Sequence, residues 1–347
     1  MDVKQHQRFL IPDKSYASIA KREVTRIAEG IGMSANGVGK LNIVVAEMAS
    51  NLAKHAALGG ELLVRVLGAP YPGIEVICLD SGPGMADPSK MQEDGVSTLG
   101  TAGEGLGAIK RQSDVFDLYS QQGVGTVILS RIYLNNKSTA GAQAASHHYD
   151  VGYVLVPKPK ETLCGDGLAI LEHEKGVYLL ALDGLGHGAS AHEASQLAVQ
   201  FFTSSPALLP ADALRNIHQS IKRTRGAVGI AANISTRSNR LSYCGIGNIA
   251  GKLYGPDGSY GSSSYKNIIS YNGILGHNIP TTLNSQELEW GHHRMLILHS
   301  DGLKSRWDLS RYHALNRHLP STVAALLYKD HSRQTDDALV VVCRSKP

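Results

Sequence analysis

Residues 100–112 read GTAGEGLGAIKRQ and place four glycines within eight residues, directly before an apolar and basic stretch. Because glycine has no Cβ, such a run lets backbone N–H groups approach a phosphate chain at the start of a helix. The same run can also serve only to turn the chain, and by itself it does not decide between the two interpretations. The sequence on its N-terminal side distinguishes a phosphate loop from a plain turn.

A helix with a polar face precedes this loop. The stretch VVAEMASNLAKHA, residues 44–56, places Glu47 and Asn51 four positions apart, with Lys54 and His55 on the next turn. Residues four apart lie on the same side of a helix, so a carboxylate, an amide and a cation share one face. Such a face is either a solvated stripe or the lining of a ligand site.

A strand followed by a glycine turn lies between this helix and the loop. LDSGPGM, residues 79–85, ends the strand with Asp80 and continues with Gly82 and Gly84. A carboxylate at that position can accept a hydrogen bond from a ligand amine, and the glycines allow the backbone to come close. The three stretches together favour a ligand site over a plain turn.

In order and approximate spacing, the three stretches resemble the ATP-binding boxes of the GHKL (Bergerat) fold, and residues 91–118 are most similar to RsbT-type switch kinases and related anti-sigma serine kinases. The resemblance implies that Asn51 binds Mg²⁺ between the ATP phosphates, that Asp80 holds the adenine amino group, and that Glu47 is the general base for a partner's serine hydroxyl. Phosphoryl transfer needs alignment and charge neutralisation, which these residue types supply. The rest of the implied ATP site consists of Lys54, His55, Gly82, Gly84, Gly103, Gly105, Leu106 and Gly107.

Acidic residues stand at strand ends throughout the second half of the chain. They are Asp166, Asp183, Asp301 and the pair Asp336 and Asp337. A single aspartate beside glycine is ordinarily a turn former. Several of them flanking apolar strands suggest carboxylates that converge at one end of a β-sandwich, where so much buried negative charge requires divalent cations.

This second half resembles the PP2C-like phosphatases of the SpoIIE and RsbX type over nearly its full length. The resemblance implies two Mn²⁺ or Mg²⁺ ions and hydrolysis by an activated water, with no protein nucleophile. The implied metal ligands are the carboxylates of Asp166, Asp183, Asp301 and Asp336 and the carbonyl of Gly184.

Two departures from that family pattern bear on the ligand set. Cys164 stands one place before Gly165, and Ala338 follows Asp337. Neither removes a carboxylate, so the choice between Asp336 and Asp337 as ligand stays open. His187 could act as an acid or base, but a helix-start residue near the metals is the favoured interpretation, since such sites already activate water.

The predicted fold class is α+β with two different domains. Helical spacing at 15–32 and 36–57, followed by strands, predicts an N-terminal GHKL α/β sandwich over residues 1–135. Residues 136–148 are small and polar and are expected to form a linker. Strand-like runs separated by helix-like stretches predict a C-terminal PP2C-like αββα sandwich over residues 149–347.

Composition narrows the function classes. The formal net charge is +4 and aromatic residues make up 6% of the chain, so there is little reason to expect nucleic-acid or anionic-membrane binding. The four cysteines form no C-x-x-C pair, which signals neither a zinc site nor a disulfide framework. The chain begins without an apolar signal segment and contains no long apolar run, so a cytoplasmic location is expected.

A kinase-like module joined to a phosphatase is chemically sensible when both act on one regulatory serine or threonine. The resemblance implies a bifunctional regulator of bacterial partner switching, acting on a STAS-domain anti-anti-sigma or stressosome-like protein. A sigma factor or another output protein is a further expected partner, and homodimerisation is expected from the resemblance alone. Two alternatives stay open: an N-terminal half that only binds ATP and sequesters a partner, and an ATP site that gates the phosphatase allosterically.

Overall fold

The computed structural model describes residues 3–55, 60–93, 105–134, 149–173, 176–205, 209–256 and 265–345. The chain divides into two units, and each of them contains a segment that is distant in sequence. The N-terminal unit comprises His6–Ser146 and Asp308–Lys329. The C-terminal unit comprises Met1–Gln5, His147–Trp307 and Asp330–Pro347.

The N-terminal unit is built on one antiparallel sheet with the strand order β1-β2-β3-β5-β4. Its strands are β1 (Gln7–Ile11), β2 (Gly60–Leu67), β3 (Gly73–Asp80), β4 (Val115–Gln121) and β5 (Gly125–Tyr133). Its helices are α1 (Lys14–Gly30), α2 (Ala35–His55) and α3 (Gly105–Gln112), with a short 3-10 turn at Lys90–Gln92. The predicted helices at 15–32 and 36–57 are therefore α1 and α2.

The two faces of this sheet differ in chemistry because side chains alternate along each strand. On β3, Ile74, Val76 and Cys78 belong to the same buried apolar cluster as Met48 of α2. Glu75 lies between them in sequence and points to the opposite face, where it is completely buried. One face of the sheet thus packs on helices, and the other carries a buried charge.

The segment Asp308–Lys329 lies within the range 149–347 in sequence, yet it belongs to the N-terminal unit. It contains 3-10 turns at Leu309–Arg311 and Leu315–Arg317 and most of helix α6 (Pro320–His331). Hydrogen bonds hold it there, among them one from Arg131 Nη2 of β5 to Ser321 Oγ at 3.0 Å. The predicted linker, residues 136–148, lies outside the described residues.

The C-terminal unit contains two antiparallel five-stranded sheets, ordered β13-β10-β9-β8-β7 and β12-β11-β14-β15-β6. The strands before the first helices are β6 (Tyr149–Val156), β7 (Gly167–His173) and β8 (Gly176–Gly184). Helices α4 (Ala189–Ser204) and α5 (Pro210–Ser220) follow. The remaining strands are β9 (Ala227–Ser235), β10 (Arg240–Ile246), β11 (Ala250–Tyr254), β12 (Tyr265–Ile268), β13 (Gln286–Glu289), β14 (Met295–His299) and β15 (Ala338–Ser345).

Two apolar clusters hold this second unit together. One joins residues of both sheets, including Tyr153, Ile230 and Val341, and it is the core between the sheets. The other joins the first sheet to the helices, with Leu180 of β8 and Leu214 of α5 among its members. A helix layer therefore packs on a sheet that packs on a second sheet, and the α+β class predicted from the sequence is confirmed.

Candidate active sites

The start of α3 lies against the polar face of α2 in the N-terminal unit. A Cβ placed on Gly105 would lie 2.8 Å from Glu47 Oε2 and 3.8 Å from Asn51 Oδ1. Only a glycine lets the backbone come this close to the two side chains without displacing them. The structure thus brings together the carboxylate, the amide and the glycine-rich helix start, and Leu106 and Gly107 on the same helix are buried.

Asp80 ends β3 and shapes the turn that follows it. Its Oδ1 accepts a hydrogen bond from the Gly82 backbone N–H at 2.5 Å. Gly84 has φ +71°, and a Cβ there would lie 2.0 Å from the Gln121 carbonyl oxygen. Gly84 is therefore required by close backbone packing against the end of β4, whatever its part in ligand binding.

The remaining residues predicted for the ATP site are less informative. Lys54 lies on α2 and is exposed. His55 is the last residue of that helix. Gly103 lies outside the described residues.

The predicted metal ligands of the C-terminal unit all lie at or next to strand ends. Asp166 directly precedes β7, and Asp183 is the penultimate residue of β8. Asp301 follows β14 by two residues, and the pair Asp336 and Asp337 directly precedes β15. Gly167 pairs with Leu182 across β7 and β8, which places Asp166 and Asp183 at the same end of one sheet.

These acids are close enough to perturb one another. Burial, together with the charge of Asp183, raises the pKa of Asp166 well above its usual range. Burial and the charge of Asp301 raise the pKa of Asp183 to about 7, although the backbone N–H of Asp301 hydrogen-bonds to it. Desolvation and neighbouring like charges both disfavour the ionised form, so the cluster is a strained concentration of negative charge.

Ser300 is a residue of this site that the sequence reasoning missed. Its Oγ donates a hydrogen bond of 2.6 Å to Asp166 Oδ2 and accepts one of 3.0 Å from the Leu339 backbone N–H. The serine thereby fixes the Asp166 carboxylate to the start of β15. Its position directly before Asp301 was the only sequence signal that could have pointed to it.

The two neighbouring aspartates Asp336 and Asp337 are placed differently. Asp337 is buried, and its Oδ1 accepts a hydrogen bond of 2.8 Å from the Lys158 backbone N–H. Asp336 is only half-buried, and its Oδ1 accepts a hydrogen bond from the Asp337 backbone N–H at 2.9 Å. Asp337 thus ties β15 to the segment after β6, while Asp336 is the more accessible carboxylate.

Within the ranges that the structure describes, no three His, Cys, Asp or Glu side chains are placed to hold a metal ion. The carboxylates approach closely enough to raise the pKa of Asp166 and Asp183, but they do not converge on one point. Their oxygen-only donor set is the one that Mg²⁺ and Mn²⁺ prefer. The residues therefore fit such ions by the chemistry of their donor atoms.

His187 lies at the surface rather than inside this cluster. Its Nδ1 is 3.0 Å from Glu161 Oε1, and both side chains are substantially exposed. The pairing gives the imidazole a partner outside the acid cluster, in keeping with the favoured interpretation of a helix-start residue.

Comparison with known proteins assigns each part of the chain to a family. Residues 12–131 match the family model of the histidine kinase-like ATPase domain, and residues 173–346 match that of stage II sporulation protein E (SpoIIE). The serine/threonine-protein kinase RsbT of Bacillus subtilis (strain 168) is 34% identical over 111 residues, which cover 32% of this chain and 84% of RsbT. The chain belongs to both families. It is a fusion of an RsbT-like ATPase domain with a SpoIIE domain.

Further relatives match the SpoIIE half of the fusion. The phosphoserine phosphatase RsbX of the same bacterium is 26% identical over 146 residues, covering 42% of this chain and 70% of RsbX. A crystal structure of RsbX with magnesium gives a TM-score of 0.50 at 20% identity, covering 58% of this chain and 97% of that one. A chain solved in work on the bacterial stressosome gives 0.52 at 24% identity, covering 57% of this chain and 100% of that one. At such identities the two structures show a shared fold.

The RsbX and SpoIIE relatives support phosphatase activity for the C-terminal unit and imply a divalent metal such as Mg²⁺ or Mn²⁺. With the RsbT match, they point to partner-switching regulation. No helix among the described residues is both long and apolar enough to cross a membrane.

Proposed function

We propose that the fusion is a bifunctional switch, which phosphorylates a regulatory serine or threonine with ATP and removes the same phosphate by metal-dependent hydrolysis. The observation that carries the proposal is the presence, in one chain, of an RsbT-like half and an RsbX-like half. The product of one reaction is the substrate of the other. We assign the kinase to residues 1–135 and the phosphatase to residues 149–347, joined by a linker at 136–148.

The kinase proposal rests on the contact between α2 and α3. Glu47 would take the proton of the partner's hydroxyl as general base, and its neighbour Asn51 would hold Mg²⁺ against the ATP phosphates. The N-terminus of α3, beginning at Gly105, would offer backbone N–H groups to the phosphates, since glycine allows that approach. Asp80 would accept a hydrogen bond from the adenine amino group.

The phosphatase proposal rests on the acid cluster. Asp166, Asp183, Asp301 and Asp336, with the Gly184 carbonyl, would hold two Mn²⁺ or Mg²⁺ ions. Bound there, the ions would neutralise the charge of the phosphate and activate water for attack on phosphorus. Ser300 would keep the Asp166 carboxylate oriented. Asp337 would anchor the start of β15 through the Lys158 backbone, so we assign the ligand role to Asp336.

The partner we propose is a STAS-domain anti-anti-sigma or stressosome-like protein, with a sigma factor or another signalling protein as the output. The proposal rests on the relatives: RsbT is a serine/threonine-protein kinase, RsbX is a phosphoserine phosphatase, and one structural neighbour comes from work on the bacterial stressosome. A single regulatory hydroxyl on such a partner gives both halves a common target.

The Glu47→Gln variant tests the kinase half against sequestration. We expect phosphate transfer from ATP to a STAS-domain protein to fall by about 10²- to 10⁴-fold, the usual contribution of a general base, with ATP affinity measured by calorimetry unchanged. Glu29→Gln, which alters an exposed glutamate of α1, is the matched control and should transfer phosphate normally. Binding of partner and ATP by the wild type without any transfer would instead make the N-terminal half a sequestration module.

A further inference from the structure

The segment Asp308–Lys329 leaves the C-terminal unit through a paired stem next to the acid cluster. Leu303 forms a β-bridge with Ser332. On either side of it, the Lys304 backbone N–H donates to the His331 carbonyl at 2.9 Å, and the Arg333 N–H donates to the Gly302 carbonyl at 2.8 Å. In sequence the stem begins directly after Asp301 and ends three residues before Asp336.

The stem is also packed tightly against the acids. A Cβ placed on Gly302 would lie 1.9 Å from the Asp337 carbonyl oxygen, so the two backbones touch. Closely packed backbones transmit displacement because there is no free volume to absorb it. Movement of the stem would therefore move Asp301 and the Asp336–Asp337 pair.

The middle of the segment is held inside the N-terminal unit by Asp117 of β4. Its carboxylate accepts hydrogen bonds from the Leu319 backbone N–H and the Thr322 hydroxyl, both at 2.7 Å. His318 Nδ1 lies 2.8 Å from the other carboxylate oxygen. Thr322 is completely buried, and the side chains of Asp117 and His318 are only 15% and 22% exposed, so water has limited access to this cap at the start of α6.

The tip of the β4–β5 hairpin holds the same segment through two of its residues, Gln121 and Val124. The Gln121 side chain donates to the Arg311 carbonyl at 3.1 Å and accepts from the His313 backbone N–H at 2.9 Å. Lys329 Nζ donates to the Val124 carbonyl at 2.7 Å. The hairpin tip thus binds both the beginning and the end of the segment.

That hairpin also supports the turn that follows Asp80. The Gly123 backbone N–H donates to the Pro83 carbonyl at 2.9 Å, and the Met85 N–H donates to Ser120 Oγ at 2.9 Å. Gly84 touches the Gln121 carbonyl so closely that no Cβ fits between them. One small hairpin is therefore bonded on one side to the turn of the nucleotide site and on the other to the inserted segment.

We infer that the segment Asp308–Lys329 couples nucleotide binding in the N-terminal unit to phosphatase turnover in the C-terminal unit. The inference rests on the proposed function and adds the regulation of the phosphatase site. Nucleotide bound beside Asp80 displaces the β4–β5 hairpin, and the hairpin displaces the segment to which it is hydrogen-bonded. The stem of the segment then displaces the aspartates of the acid cluster. For binding equilibria such coupling is reciprocal, so nucleotide and metal would change each other's affinity by the same factor, whereas the effect on the hydrolysis rate need not be symmetric.

The test uses the full chain and a small aryl phosphate as substrate, with Mn²⁺ saturating. Hydrolysis is measured with and without a non-hydrolysable ATP analogue, whose binding is measured by calorimetry on the same sample. We expect the bound analogue to change the hydrolysis rate at least about fivefold, the lower end of ordinary allosteric coupling. In Asp117→Ala and in Gln121→Ala, the change in hydrolysis rate caused by the bound analogue should fall below about twofold. Each variant removes different hydrogen bonds between the β4–β5 hairpin and the segment.

Asp13→Ala is the matched control, because Asp13 caps α1 through the Ser15 backbone N–H at 2.7 Å and has no bond to the segment. It should retain the full nucleotide response. If Asp117→Ala fails to fold, Gln121→Ala, at the hairpin tip, carries the test. Equal, measurable hydrolysis with and without bound analogue would overturn the coupling alone, as would a full response in both variants. An absence of hydrolysis under both conditions would instead contradict the proposed phosphatase.

Discussion

Glu75 in the N-terminal unit and Asp166 in the C-terminal unit are both buried carboxylates, and the charges around them differ in sign. Burial alone would raise the pKa of Glu75 in the N-terminal unit, but the charges of Arg65 and Arg131 hold it well below its usual range. Arg65 Nε lies 2.6 Å from one carboxylate oxygen of Glu75, and Arg131 Nε lies 2.7 Å from the other. Asp166 in the C-terminal unit meets other aspartates instead, and its pKa is raised.

The difference separates a structural charge from a functional one. Glu75 has its counter-charges built into neighbouring strands, so its negative charge is balanced within the protein. The charges that most affect Asp166 among the described residues are those of other aspartates, Asp183, Asp337 and Asp301, which is a costly arrangement for folding alone. Such a cluster is typical of a site that binds cations from solution.

The largest effect we expect is on the acid cluster. Asp183→Asn should lower the Mn²⁺-dependent hydrolysis of an aryl phosphate at least about a thousandfold, because it removes a ligand and the charge that attracts the ions. The same variant should melt at a higher temperature than the wild type in the presence of EDTA, because one of several repelling carboxylates is gone. Asp212→Asn, on the exposed start of α5, is the control. If Asp183→Asn instead melted at a lower temperature than the wild type in EDTA, the contrast between the repelling acid cluster and the balanced Glu75 would be contradicted.

The next largest effect concerns Glu75, the carboxylate whose charge Arg65 and Arg131 balance. Glu75→Ala should destabilise the chain by about 3–5 kcal/mol in denaturant titrations, since it leaves two guanidinium groups without their buried partner. Glu23→Ala, which breaks an exposed ion pair with Arg26 on α1, should cost less than about 0.5 kcal/mol.

The Glu75 contribution has a defined pH dependence. Because the pKa of Glu75 is depressed in the folded state, its contribution to stability is fully present above the ordinary value of 4.5. It is lost as the pH falls from there through the folded-state value. The difference in stability between wild type and Glu75→Ala should therefore narrow in acid, and a gap that widens below this pH would contradict the assignment.

The smallest effect we expect concerns the Ser300 hydroxyl, which hydrogen-bonds to Asp166. Ser300→Ala should lower hydrolysis by about tenfold and raise the Mn²⁺ concentration needed for half-maximal rate, as expected when a bond that orients a metal ligand is lost. Ser238→Ala, in an exposed turn of the same unit, should change neither quantity. An unchanged metal requirement in Ser300→Ala would limit the serine to a structural role.

Local patterns predicted the elements that have strong periodicity. The helical spacing of α1 and α2 was visible in the sequence because each helix is a long, self-contained pattern. β1, β12 and β13 span only four or five residues and depend on pairing with a neighbouring strand, so the sequence carries little pattern for them. Short edge strands have too few residues to show an alternation.

The residues of the candidate sites also differ in how far their proximity could be predicted from the sequence. Glu47 and Asn51 share a helix, so their proximity could be predicted from spacing alone. Ser300 could not, because its bond to Asp166 spans 134 positions. The bond between Asp117 and Leu319 spans 202 positions, and no local pattern marks a segment as belonging to a unit so far away in sequence. Contacts of this kind are set by tertiary packing.

A bifunctional switch requires that both activities act on one hydroxyl of the partner. The measurement is mass spectrometry of a STAS-domain partner incubated first with the fusion, ATP and Mg²⁺, and then, after ATP is removed, with the same protein and Mn²⁺. We predict that one serine or threonine gains a phosphate in the first step and loses it in the second. In Asp183→Asn, that phosphate should appear and persist. Phosphate gained at one residue and removed only from another would contradict the account.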